Sequence, residues 1–154
     1  MAGETTLGLK MPEALNDSRL PEALKRALKE FWEWYDVRYA VPVEVGIEPG
    51  AVRIVMSHDI EPELNECEDI CIKKYGKEVE EELKAGGITE EEAEEKVWQG
   101  CHEACIEDIV RDLYLTFGEI ASKLDEVLEK YGVKAKSEGG WNRYEYWIRY
   151  EIRL

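Results

Sequence analysis

Between residues 21 and 35 the apolar side chains Leu24, Ala27, Leu28, Phe31 and Tyr35 recur at intervals of three and four. That spacing lines one face of an α-helix and turns it toward a core. Pro21 suits the first turn of this helix, and a shorter helical turn is expected over Pro12–Asp17. The period then falls to two. Val41, Val43, Val45 and Ile47 alternate with Pro42, Glu44 and Gly46, which predicts a half-buried strand over 40–47. Glu48-Pro49-Gly50-Ala51 sets Pro and Gly where a type II turn needs them, and Val52, Ile54 and Met56 resume the alternation, so the two strands form a hairpin.

Helical spacing returns after Pro62, in a stripe of Leu64, Cys67, Cys71, Tyr75, Val79 and Leu83 that Gly86-Gly87 ends. Thr89 and Glu92 form a capping box for the next helix. Its apolar face reads from Ala93, Val97, Cys101 and Cys105 through Ile109, Leu113 and Phe117 to Ile120, Leu124 and Val127 or Leu128. A helix of about 42 residues would span about 63 Å, so it is expected to bend near Gly118 or to project at one end. In Trp141–Leu154 the even positions Tyr144, Tyr146, Ile148, Tyr150, Ile152 and Leu154 oppose Arg143, Glu145, Arg149, Glu151 and Arg153. That alternation predicts a strand paired with Val133–Ser137 through a turn at Gly139-Gly140. The expectation is a single α+β domain over residues 1–154 in the order α-β-β-α-α-β-β. Its mostly antiparallel four-stranded sheet is covered on one face by helices, and residues 62–112 form a helical hairpin.

The four cysteines fall on the facing stripes of that hairpin. Facing residues of an antiparallel helix pair keep a constant sum of residue numbers. Cys67 with Cys105 and Cys71 with Cys101 share one such sum, centred on Gly86, as do Tyr75 with Val97 and Val79 with Ala93. Nested bonds Cys67–Cys105 and Cys71–Cys101 therefore fit, whereas a bond within either CxxxC would join side chains a full turn apart. The twin CxxxC resembles the stapled hairpins of the mitochondrial small chaperones and of the coiled-coil-helix proteins of the intermembrane space. The resemblance covers Cys67–Cys105 alone, with a longer spacer here, and supports the connectivity rather than a function. Zinc or an iron–sulfur cluster held by the same four sulfurs, a thiol-dependent redox pair, and reduced thiols packed in the interior are the alternatives. Glu66, Glu68, Asp69, Glu103 and Glu107 surround the thiols with negative charge, which disfavours thiolates and so the metal and redox alternatives.

Composition adds an environment. Glu and Lys abound, while Gln99, Asn16, Asn65 and Asn142 are the only side-chain amides, a depletion expected at high growth temperature. Intracellular proteins of hyperthermophiles are the group in which cytosolic disulfides are common. No apolar run is long enough for a membrane helix and Met1–Lys10 lacks the apolar core of a signal peptide, so a cytoplasmic protein with no membrane partner is expected. The formal charge of −15 over 154 residues excludes general affinity for nucleic acid. The charge is segregated: residues 1–61 carry −4, residues 62–112 carry −11 and residues 113–154 are neutral.

Enzymatic signals are weak. No serine or threonine lies in a nucleophile elbow or phosphate loop. His58 with Asp59 and Glu61 could bind a divalent metal, although acidic residues before a helix also serve its dipole. His102, about 100° around the helix from the cysteine stripe, is expected to be exposed. Trp32, Trp34, Tyr35 and Tyr39 could line a small-molecule pocket, though such clusters usually form core. The outer face of the last strand interleaves Trp141 and Trp147 with Arg143, Arg149 and Arg153, but Glu145 and Glu151 favour cross-strand ion pairing over nucleic-acid binding. The leading expectation is a non-enzymatic interaction protein whose acidic hairpin docks on a basic protein partner through Glu80, Glu81, Glu91 and Glu92. A cysteine-centred redox protein and a binder using aromatics near Trp32 are the rivals, and a homo-oligomer is compatible with all three.

Overall fold

The computed structural model describes residues 6–142 and 144–154. The chain is mixed helix and sheet, running β1 Thr6–Lys10, α1 Met11–Leu15, α2 Glu22–Tyr35, β2 Val43–Glu48, β3 Ala51–Asp59, α3 Glu61–Lys84, α4 Glu90–Lys130, β4 Lys136–Trp141 and β5 Glu145–Arg153. Five strands, not four, make the antiparallel sheet, in the order β1-β2-β3-β5-β4. The additional strand, β1, shows only Leu7 and Leu9 as an apolar pattern, and its pairing with β2 shifts register between Thr6 and Leu9, around Gly8 at φ 73°. Two apolar residues around a left-handed glycine leave no readable alternation.

Two compact units divide the chain, one of residues 1–58, 114–142 and 146–154, the other of 59–113 and 143–145. In the first, Val43, Val45 and Ile47 lie directly opposite Met56, Ile54 and Val52, and all six are buried. Gly50 takes φ 79° between those strands, as the type II turn requires. The stripe of α2 is buried as its spacing predicts, and the last turns of α4 contribute Phe117, Ile120, Leu124, Val127 and Leu128. Tyr150 is buried, and its hydroxyl donates to Asp125 Oδ1 at 2.8 Å and to the Ala121 carbonyl at 3.2 Å. Lys130 Nζ meets Glu30 Oε1 at 2.7 Å, which joins α4 to α2.

Gly139-Gly140 is not a turn. Both glycines lie inside β4, opposite Ile148 and Trp147, and Trp141 belongs to that strand. A Cβ on Gly140 would stand 3.0 Å from Trp147 Cζ2, and one on Gly139 would stand 3.2 Å from the Trp147 carbonyl oxygen. Gly140 makes room for the Trp147 indole and Gly139 for the Trp147 backbone, rather than for a reversal. Because Trp141 pairs with Tyr146 and Gly140 with Trp147, the two tryptophans project from opposite faces of the sheet. Arg143, expected beside them, lies outside the described residues. The even face of β5 is fully buried only at Tyr150 and Ile152; Tyr146 and Ile148 are half-buried, while Tyr144 and Leu154 are exposed.

In the second unit α3 starts with Pro62 in its first turn, and Gly86 ends the segment at φ 75°. The Glu92 N–H donates to Thr89 Oγ1 at 3.2 Å, so threonine caps α4. Helix α4 is continuous through Gly118. None of the helices among the described residues is long and apolar enough to cross a membrane.

Candidate functional site

Both predicted disulfides are present, Cys67–Cys105 and Cys71–Cys101, with Cα atoms 5.9 Å and 5.7 Å apart. The nested pairing follows from equal steps of four along two antiparallel helices. No cysteine remains as a thiol, so a four-thiolate metal site would need both bonds reduced first and a dithiol redox pair one of them. The staples hold a thin structure. Among the described side chains of α3 only Leu64 and Glu68 are buried, and Tyr75, expected on the inner stripe, is 45% exposed. Two helices bury one seam between them, and among the described residues of this unit no third helix stands beside it.

Glu68 is the one polar or charged residue in the buried class among those described, at 7% exposure. His102 is half-buried, not exposed as expected, and its Nδ1–H donates to Glu68 Oε1 at 2.6 Å. The imidazole also stacks on Trp98, with ring centroids 5.0 Å apart and planes 7° from parallel. Glu68, one residue beyond Cys67, and His102, one beyond Cys101, occupy neighbouring positions beside the staples. That shared offset was the available signal for the pair.

On one flank of the seam a groove of about 410 Å³ runs between Ile72, Gly76, Val79 and Leu83 of α3 and Ala93, Val97 and Trp98 of α4. Glu80, Glu90 and Glu94 also line it, and no lysine or arginine does among the described residues. None of these three carboxylates has an ion-pair partner among the described residues. The opposite flank, about 320 Å³, lies against Cys71, Cys101, Tyr75 and Gly100. Lys96 and Glu82 line it and face each other at 3.6 Å, so that flank is internally compensated. Glu80, Glu81, Glu91 and Glu92, the expected partner-binding residues, are all exposed on the hairpin.

The remaining candidates are placed as follows. The Glu61 N–H donates to Asp59 Oδ1 at 3.1 Å, an Asx arrangement that opens α3. Among the described residues no three His, Cys, Asp or Glu side chains gather as a metal site, so His58, Asp59 and Glu61 do not form one. The aromatics near Trp32 pack on one another: Trp32 stacks on Tyr35 at 5.6 Å and Trp34 lies 5.5 Å from Tyr39. Burial and the Glu119 carboxylate push the Tyr39 hydroxyl up to about 12. On the sheet, Arg53 pairs with Glu48 at 3.2 Å and Glu151 at 3.6 Å, Arg149 pairs with Glu138 directly across the strands, and Arg153 pairs with Glu151 at 3.7 Å.

Comparison with protein-family models, curated proteins and solved structures finds no match to this chain.

Proposed function

We propose that the chain is a non-enzymatic interaction protein of a hyperthermophile cytoplasm, and that its disulfide-stapled acidic hairpin docks on a basic protein partner. The observation that carries this reading is the groove beside Gly76: an apolar floor rimmed by Glu80, Glu90 and Glu94, in a segment of net charge −11. Carboxylates of one sign around an apolar strip repel a second copy of the same surface and steer a cationic one toward it. Low amide content supports the hot environment, where persistent intracellular disulfides are common.

The test reverses Glu80, Glu81, Glu91 and Glu92 to Lys together. All four side chains are exposed, so circular dichroism should be unchanged, while capture of the partner from a native extract at low salt should be lost. Salt should release the partner from the unaltered chain. Undiminished capture by the reversed variant would reduce the acidic hairpin to a solubility device.

A further inference from the structure

Gly76 and Gly100 lie in the interiors of α3 and α4, where glycine destabilises a helix relative to alanine. Neither has a positive φ, and a Cβ at either position would meet nothing within 4 Å. Among the described residues no neighbour packs into the space a side chain would fill at either glycine. At Gly76 that bare helix backbone forms part of the apolar groove, with Ile72 and Leu83 along the same helix and Trp98 across from them. Trp98 is held in place by its stack on His102, which Glu68 orients in turn. The groove's acidic residues stand on both helices, Glu80 on α3 and Glu90 and Glu94 on α4. The flank beside Gly100 lacks this asymmetry, because Lys96 answers Glu82.

From these features we infer that the Gly76 groove is a helix-binding site, and that its occupant is a basic amphipathic helix of a partner protein. The inference rests on the docking reading above and specifies the partner's form. From Ile72 to Leu83 the groove follows α3 for about 17 Å, the length of three helical turns. A partner helix laid there brings apolar residues at intervals of three and four onto Val79 and Val97 and approaches the α3 backbone at Gly76. Lys or Arg flanking its apolar stripe then meets Glu80 on one side and Glu90 and Glu94 on the other. A second copy of the hairpin would place carboxylate against carboxylate, which selects a cationic partner.

The probe is a synthetic amphipathic peptide of Leu and Lys, compared with a scrambled peptide of the same composition and with oligolysine. Binding to the full chain is measured by fluorescence anisotropy at low salt, and Gly76→Leu is the deciding variant. Its side chain enters open space, so the melting temperature should not fall, while affinity for the amphipathic peptide should fall about tenfold or more. The scrambled peptide should bind the unaltered chain correspondingly more weakly. If Gly76→Leu binds as tightly as the unaltered chain, or the scrambled peptide and oligolysine bind equally well, the helix site is overturned. Loss of that binding on Glu80→Lys, Glu90→Lys and Glu94→Lys would then still uphold basic docking. If none of the three probes binds, both readings fall.

Discussion

Removing the two disulfides one pair at a time tests how the hairpin is held. Cys71–Cys101 closes a sequence separation of 30 and Cys67–Cys105 one of 38. Taken alone, each restricts the unfolded chain by an amount worth about 3.5–4 kcal/mol. The bonds are nested, however, so with either in place the other closes only the ring formed by one CxxxC from each helix. A ring of about ten residues is worth about 2.5 kcal/mol. Replacing Cys71 and Cys101 by Ala should therefore cost about 2.5 kcal/mol, and replacing Cys67 and Cys105 nearly the same. Removing all four should cost about 6 kcal/mol, about 1 more than the two losses combined. Amide hydrogen exchange along Glu61–Lys84 reads opening of this unit by itself. If one pair alone costs as much as both, or the losses add without excess, loop closure is not what the staples contribute and local packing at one bond must be.

His102→Ala strands the buried Glu68 carboxylate and should cost about 1–3 kcal/mol, whereas Glu68→Gln keeps an acceptor for the imidazole N–H and should cost less than half of that. Equal losses in urea unfolding would show that the hydrogen bond is not what matters there. In alkaline titration the tyrosinate absorbance should show Tyr35, Tyr39 and Tyr150 ionising above the ordinary tyrosine range. Burial raises all three, with Asp125 adding to the shift at Tyr150 and Glu119 at Tyr39, where it reaches about 12. A folded value above the unfolded one means that this stabilisation is complete below the ordinary tyrosine range, near about pH 10, and is lost as pH rises through the folded values. Ionisation of all eight tyrosines in one step at the ordinary value, with the fold intact, would contradict the packing around α2 and β5.

Local rules were enough wherever one periodicity met one partner. The α2 stripe, the β2–β3 turn at Gly50, the Thr89 cap and the cysteine register are all set by residues near in sequence or by a single antiparallel pairing. What escaped depends on a neighbour distant in sequence or on a side chain's size. Gly139-Gly140 reads as a reversal until Trp147 is seen to need the space. Strand β1 exists because β2 offers it an edge, not because Leu7 and Leu9 make a pattern. His102 is exposed on an isolated helix and half-buried once α3 brings Glu68 to it. The groove was illegible for a related reason: a stripe of apolar residues predicts burial, and periodicity cannot say which members of the stripe a two-helix seam leaves uncovered.

The uncovered flanks and the disulfides have one physical cause. A pair of helices with a single seam buries few side chains, so apolar burial alone holds them weakly, and adding a third helix would both stabilise the pair and cover the groove. Cross-linking avoids that conflict. By restricting the unfolded chain instead of adding native contacts, Cys67–Cys105 and Cys71–Cys101 supply stability without occupying the flanks of the seam. The register they impose also positions the groove, since Val79 and Ala93 share the pairing sum of the cysteines and line it from opposite helices. A slip of one turn along α4 would move Trp98 and Glu94 away from Gly76 and break the rim. The staples thus act on the proposed function through geometry as well as stability, and a chain that retained its helices after reduction should still lose affinity for the amphipathic peptide.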